Sequence, residues 1–408
     1  MRILYVVHQF MPDFAGGTER VTLNLAHAAQ ADGAHVEILT ATADGARWRE
    51  GADGLFTQVV EGVPVTAVRI AEPPLTELGF FENPDLRAKA EAFLRGRPEF
   101  DVAHVMHAFR LVEAVEVLAE RHVPYIVTTT DFFSLCYRIN LVRLNGELCD
   151  GPRDGEACRT WCRQEPLAED ERYVERTRRL AHLLHAASAV AAVSDYVAGR
   201  LRDEHPDLKV FVVRNGVDLV RFGRPRPRNR RGARTVGYLG TVSQAKGALM
   251  LARAFAAAEA PNLKLRIVGP CYEPAVAEEI RELAARAPMT LEKAIPPTAA
   301  PALLARFDVL AVPSQVPESF GLSLHEGFAA GLPTLVSDLG NQGEVIRQTG
   351  AGLALPAADL AAWSAALRDI SERPEQLRAW AQAVPLPWRV EEEAFLYSQL
   401  YRAAVVRA

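Results

Sequence analysis

Nowhere in its 408 residues does the chain have an apolar run near the roughly 20 residues that a membrane-spanning helix needs. No secretory leader is expected either. The apolar stretch of MRILYVVHQF covers only Ile3 to Val7 and no small-residue cleavage site follows, so it reads as a first β-strand. A cytoplasmic location is the expectation, with a peripheral place at the inner face of the membrane left open. Cysteine is scarce, five in all, and a chain of this length needs no disulfide staples. Excess positive charge is absent, and a net charge of −5 argues against general affinity for nucleic acid. What is present is 49% apolar and 24% charged residues, a soluble globular composition over a length that suits two domains of about 200 residues.

Apolar runs alternate with amphipathic stretches almost from end to end. ILYVV, HVEILTA, DVAHVMH, PYIVTTT, SAVAAVS and KVFVVRNG read as strands, and Thr18–Asp32 and Leu111–Arg121 as helices between them. Such alternation predicts parallel sheet built from right-handed βαβ units. The stretch 221–234, RFGRPRPRNRRGAR, has proline, glycine, seven arginines and no apolar periodicity, and reads as a basic linker. Alternation then restarts with strands TVGYLG, LKLRIVG, DVLAVPS and PTLVS, and with helices near Lys246–Ala260, Pro274–Ala287, Leu322–Ala330 and Asp359–Arg373. The prediction is an α/β chain of two doubly wound Rossmann-like lobes facing a central cleft. The first lobe covers 1–220 and the second 235–386, with a last helix in 387–408 that returns to the first lobe. Doubly wound sheets bind ligands at the carboxyl ends of their strands.

In VLAVPSQVPESFGLSLHEGFAAGLPTLVSDLGNQGEVI a buried strand ends at Pro313-Ser314, a loop carries Glu318, and Gly321 opens a helix bearing Glu326. A helix start offers N–H groups and a positive dipole end suited to a diphosphate, and glycine lets the backbone approach closely. These residues resemble the E-x7-E signature of family 4 retaining glycosyltransferases with the GT-B fold. The glycine loop Gly16-Gly17-Thr18-Glu19-Arg20, Ser194, Asn215-Gly216-Val217-Asp218, Gly240 with Lys246-Gly247, Gly269 and Asp308 follow in the family's order, so the resemblance spans nearly the whole chain.

The resemblance implies retaining transfer of a sugar from a UDP- or GDP-linked donor to a hydroxyl of a glycan or lipid-linked acceptor of cell-surface polysaccharide. It implies that Glu326 accepts hydrogen bonds from the ribose, that Glu318 sits near the sugar ring, and that Lys246 with the N–H groups of Leu322 and Ser323 neutralises the diphosphate. Gly16, Gly17, Gly240, Thr241, Gly269, Ser314, Phe320 and Gly321 complete the expected donor site. Thr241 departs from the family, which usually has an arginine there. No Asp-x-Asp pair occurs, so no catalytic metal is expected.

On the first lobe, His104 and His107 close the strand DVAHVMH. The family places a histidine near the reacting sugar at this strand end, and His107 is the preferred residue, with His104 and Asp131 on the acceptor side. Cys136, Cys149, Cys158 and Cys162 lie in the polar, turn-rich insert 136–162, where a structural Zn²⁺ is the leading reading; an iron–sulfur cluster, free thiols and disulfides stay open. Some relatives carry a similar four-cysteine insert. A GT-B nucleotide-sugar epimerase and a non-catalytic sugar-nucleotide-binding partner are the alternative functions.

Overall fold

The computed structural model describes residues 1–51, 54–70, 84–95, 97–163, 170–223 and 234–407. The chain divides into two compact units, Met1–Gly216 with Val390–Ala408, and Val217–Arg389. Most of the expected basic linker, 224–233, lies outside the described residues. Its flanks are regular: Arg221 belongs to the short helix Leu219–Phe222, and Arg234 opens a strand. The chain leaves the first unit at Gly216 rather than at 220. Val217 is already committed to the second unit, donating its N–H to the Trp388 carbonyl at 2.7 Å.

The first unit is built on β1 (Arg2–Val6), β2 (His35–Thr42), β3 (Arg49–Glu50), β4 (Leu55–Val60), β5 (Val63–Arg69), β6 (Val102–Val105), β7 (Tyr125–Thr129), β8 (Ala189–Ala192) and β9 (Val210–Val212). Their order in the sheet is β3-β4-β5-β2-β1-β6-β7-β8-β9. From β5 onward along that order every pairing is parallel, as the alternation predicts, with Val6 opposite both Leu39 and Val105. The edge is different. β4 and β5 form an antiparallel hairpin closed by Glu61 and Gly62, both at positive φ (46° and 85°), the geometry of a tight two-residue turn. Helices such as Gly17–Ala31 and Val112–Glu120 bury one apolar face, with Val21, Leu23, Leu25, Val115 and Leu118 enclosed.

The helix Val390–Arg407 belongs to this unit. Tyr401 bonds Tyr5 at 3.0 Å and His104 at 2.7 Å, while Tyr397 bonds Thr128 at 2.9 Å. Glu393, one turn into the helix, is fully buried and accepts the Gly216 N–H at 2.8 Å. Burial pushes its carboxyl up to about 8.

The second unit holds β10 (Arg234–Leu239), β11 (Leu263–Val268), β12 (Met289–Glu292), β13 (Val309–Val312), β14 (Thr334–Ser337) and β15 (Gly352–Leu355). The order is β12-β11-β10-β13-β14-β15, all parallel. Strand order reverses between β10 and β13, so the loops leaving those two strands diverge and leave a crevice at the sheet's carboxyl edge. The corresponding reversal in the first unit lies between β1 and β6.

Candidate active site

In the second unit, glycines bring the loop after β10 against those after β11 and β13. A Cβ on Gly247 would lie 1.8 Å from the Pro313 carbonyl oxygen, and one on Gly269 would lie 1.8 Å from that of Gly240. Only the missing side chains allow these approaches. The Gln315 N–H bonds the Ala245 carbonyl at 2.8 Å, and buried Ser314 donates its hydroxyl to the Val316 carbonyl at 2.9 Å. Ser314 therefore shapes the loop. Thr241 is half-buried, and its carbonyl accepts the Tyr238 hydroxyl at 2.5 Å.

That contact of loops sets Lys246 beside Glu318, Nζ to Oε1 at 2.7 Å, with side chains 44% and 15% exposed. The Glu318 backbone is clamped by the segment that follows β14. Its carbonyl accepts the Asn341 N–H at 2.9 Å, the Asn341 side-chain amide donates to the Phe320 carbonyl at 2.8 Å, and Gly340 passes so close that a Cβ would meet the Glu318 nitrogen at 2.5 Å. Gly321 follows in the left-handed region (φ 82°) and caps the helix Leu322–Ala329. The first bond inside that helix is Leu324 N–H to the Gly321 carbonyl, so the N–H groups of Leu322 and Ser323 precede it. Phe320 is buried and stacks on His325, centroids 4.0 Å apart; His325 Nδ1 bonds the Gly321 carbonyl at 3.0 Å, which makes it the protonated nitrogen. Glu326 is half-buried on the same helix. A cation, a carboxylate and the open end of a helix therefore share one crevice. Sequence patterns did not reveal that Lys246 and Glu318 pair directly, nor the Gly340–Asn341 clamp; each depends on contacts between segments far apart in the chain.

In the first unit the expected residues part company. His104 lies within β6, not beyond it, and is fully buried with both ring nitrogens bonded, Nδ1 to Tyr401 and Nε2 to Thr128, each at 2.7 Å. Burial takes its pKa to about 3. The acceptor-side expectation for His104 is corrected accordingly: it joins the sheet to the last helix. His107 stands two residues past the strand end. Its Nδ1 accepts the Phe109 N–H at 3.1 Å, so Nε2 carries the proton and donates to Asp131 Oδ2 at 2.7 Å. Asp131 is oriented in turn by the Phe133 N–H at 2.8 Å, and its side chain is 30% exposed.

Two neighbours went unassigned from sequence. The His8 ring lies 4.1 Å from that of His107, and His8 Nε2 is 4.0 Å from Glu19 Oε1. His8 follows β1 by two residues as His107 follows β6, and because Val6 pairs with Val105 the two rings meet; that matched offset was the available signal. Gly16 and Gly17 are exposed at the start of the helix Gly17–Ala31, and the Gly16 N–H donates to Glu19 Oε2 at 2.8 Å.

In the cysteine-rich insert, Cys136, Cys158 and Cys162 are buried and Cys149 is half-buried, its thiol donating to the Gly151 carbonyl at 3.4 Å. Burial, and then the charges of Cys136, Cys162 and Cys149, push the Cys158 thiol up to about 12. Among the described residues no group of three or more His, Cys, Asp or Glu is placed to hold a metal ion, and no helix is long and apolar enough to cross a membrane.

Two parallel α/β units of this kind, with a crevice at the switch point of the second, define the GT-B architecture. Sucrose-phosphate synthase from Thermosynechococcus elongatus matches over 100% of both chains with a TM-score of 0.74 at 19% identity. Anabaena HepE in complex with UDP and glucose matches over 97% of this chain and 98% of that one, with a TM-score of 0.68 at 16% identity. The chain belongs to Glycosyltransferase Family 4, whose model matches residues 15–221, and the model of Glycosyl transferases group 1 matches residues 222–385. It is similar to the D-inositol 3-phosphate glycosyltransferase of Rhodococcus erythropolis, 28% identical over 420 residues that cover 96% of this chain and 87% of the relative. The enzyme of the same description from Jonesia denitrificans is 28% identical over 397 residues, 90% of this chain and 86% of that one. The protein is a glycosyltransferase.

Proposed function

We propose that this glycosyltransferase moves a hexose-type sugar from a nucleoside diphosphate, UDP- or GDP-linked, to an acceptor hydroxyl with retention of configuration. The observation that carries the reading is the Lys246–Glu318 pair at the open end of the helix Leu322–Ala329. Cleavage of the glycosidic bond puts negative charge on the departing diphosphate. Lys246, released from Glu318, and the N–H groups of Leu322 and Ser323 are the groups of this crevice that would take that charge up. Glu318 is then available to sugar hydroxyls, and Glu326 would accept hydrogen bonds from the ribose. The diphosphate oxygen can take the acceptor's proton, so the reading needs no enzymic nucleophile and no catalytic metal. The enzyme's contribution is then positioning and charge stabilisation. HepE was solved with UDP and glucose, and the relatives from Rhodococcus and Jonesia are described as acting on an inositol phosphate. A hydroxyl-rich acceptor, free or as part of a glycan or lipid-linked intermediate, fits the polar cluster around His107 and Asp131. Work at the inner face of the membrane belongs to the same reading.

Incubation with UDP- and GDP-sugars tests it. Slow nucleoside diphosphate release, lost in Glu318→Gln, is the expected result. Binding without release would make the chain a passive partner, and isomerised donor would make it an epimerase.

We propose also that the chain is of the four-cysteine type, with Cys136, Cys149, Cys158 and Cys162 holding a structural zinc ion. The support is that three of these thiols are buried and the fourth half-buried within the single turn-rich insert 136–162. The sulfurs would have to close around the ion and lose their protons to it. Protein purified without chelators should carry close to one zinc, lost in Cys158→Ser; less than about half an equivalent would defeat the proposal.

A further inference from the structure

Next to the His107–Asp131 pair lie two polar groups whose bonding is incomplete. Glu19 is 2% exposed and its Oε1 is buried without a hydrogen-bond partner; on His8 the unpartnered atom is Nδ1, whereas the ring nitrogen facing Glu19 is Nε2. The two side chains face each other at 4.0 Å, too far for a bond between them. An oxygen about 2.8 Å from both His8 Nε2 and Glu19 Oε1 would bond both. Burial disfavours charge on both groups, lowering His8 and raising Glu19, with His107 and Arg110 adding to the effect on His8. The gap therefore calls for a neutral hydrogen-bonding group rather than an ion. Gly16 fixes Glu19 through its N–H, and a Cβ on Gly16 would lie 2.6 Å from Glu19 Oε2. His8 is fixed from the other side by the rings of His107 and Phe109.

We propose that His8 and Glu19 bind one hydroxyl of a polyol acceptor between Nε2 and Oε1, beside the hydroxyl that faces His107 and Asp131. Vicinal hydroxyls of a sugar or cyclitol ring meet such adjacent polar sites, whereas a simple alcohol reaches one. The inference rests on the reading of this unit as the acceptor side.

The test uses the full-length chain labelled with [15N]histidine and titrated with myo-inositol and with methyl α-glucopyranoside, with and without UDP. The His8 ring signals, identified by their loss in His8→Phe, should shift saturably with at least one polyol. Calorimetry should show that polyol binding weakens about tenfold in His8→Phe, which keeps the ring packing, and in Glu19→Ala. If Glu19→Ala fails to fold, His8→Phe carries the comparison alone. Signals of His8 that stay fixed at every polyol concentration up to solubility, or equal affinity in folded His8→Phe, would overturn the proposal. Failure of the donor reading would show separately, as absence of UDP binding.

Discussion

Replacing Lys246 by methionine separates stability from ligand binding. In the free protein Lys246 bonds Glu318 at 2.7 Å, but its side chain is 44% exposed. An ion pair so open to solvent contributes roughly 0.2–1 kcal/mol. The variant should therefore unfold in urea within about 1 kcal/mol of the parent. A diphosphate would replace Glu318 as the partner of the ammonium, in a charge-assisted bond that contributes roughly 1.5–3 kcal/mol. UDP affinity, read by calorimetry, should fall roughly 10- to 150-fold. Glu318→Gln removes the competitor for Lys246, so that variant should bind UDP at least as tightly as the parent. In the double variant the gain should vanish. A folded Lys246→Met that binds UDP within about twofold of the parent would refute the assignment of Lys246 to the phosphates.

Other outcomes follow from the same geometry. Gly321→Ala meets no atom closer than 3.7 Å, so its cost is the left-handed backbone, about 1–2 kcal/mol; Gly247→Ala adds a collision at 1.8 Å with backbone and should lower the melting temperature far more. Glu393, pushed up to about 8 by burial, holds its proton in the folded state across pH values where the unfolded chain has lost it. Stability from this group is full below the unfolded value near 4.5 and declines as pH rises toward 8, by a few kcal/mol in all; Glu393→Gln should flatten that part of a urea-unfolding pH profile, and an unchanged slope would refute the account. His104→Phe should destabilise the chain by breaking two buried bonds at 2.7 Å while donor turnover by the folded fraction stays at the parent's level.

Much of this could be read from the chain alone. Parallel strands at ILYVV and VLAV announce themselves by short apolar runs between helical patterns, and the Glu318–Glu326 segment shows its loop and helix start through Gly321. The β4–β5 hairpin escaped, because its Glu-Gly turn lies inside a stretch where strand follows strand without a helix. DVAHVMH favoured His107 over His104 without showing where the strand ends. Three residues decide between the last buried position of β6 and the first residues beyond it, and strand ends are where sequence patterns are least definite. His8 became meaningful only through the register of β1 with β6. The Gly340–Asn341 clamp on Glu318 likewise depends on a bridge between residues 22 apart, which no local period encodes.

The central claim is that the second unit holds the sugar nucleotide at the loops after β10 and β13. Hydrogen exchange with and without UDP tests it most directly. UDP should protect amides in 240–247 and 318–326, with protection at 322 and 323 lost in Lys246→Met at the same UDP concentration. Protection confined to the first unit, or none at a UDP concentration that saturates by calorimetry, would contradict the account.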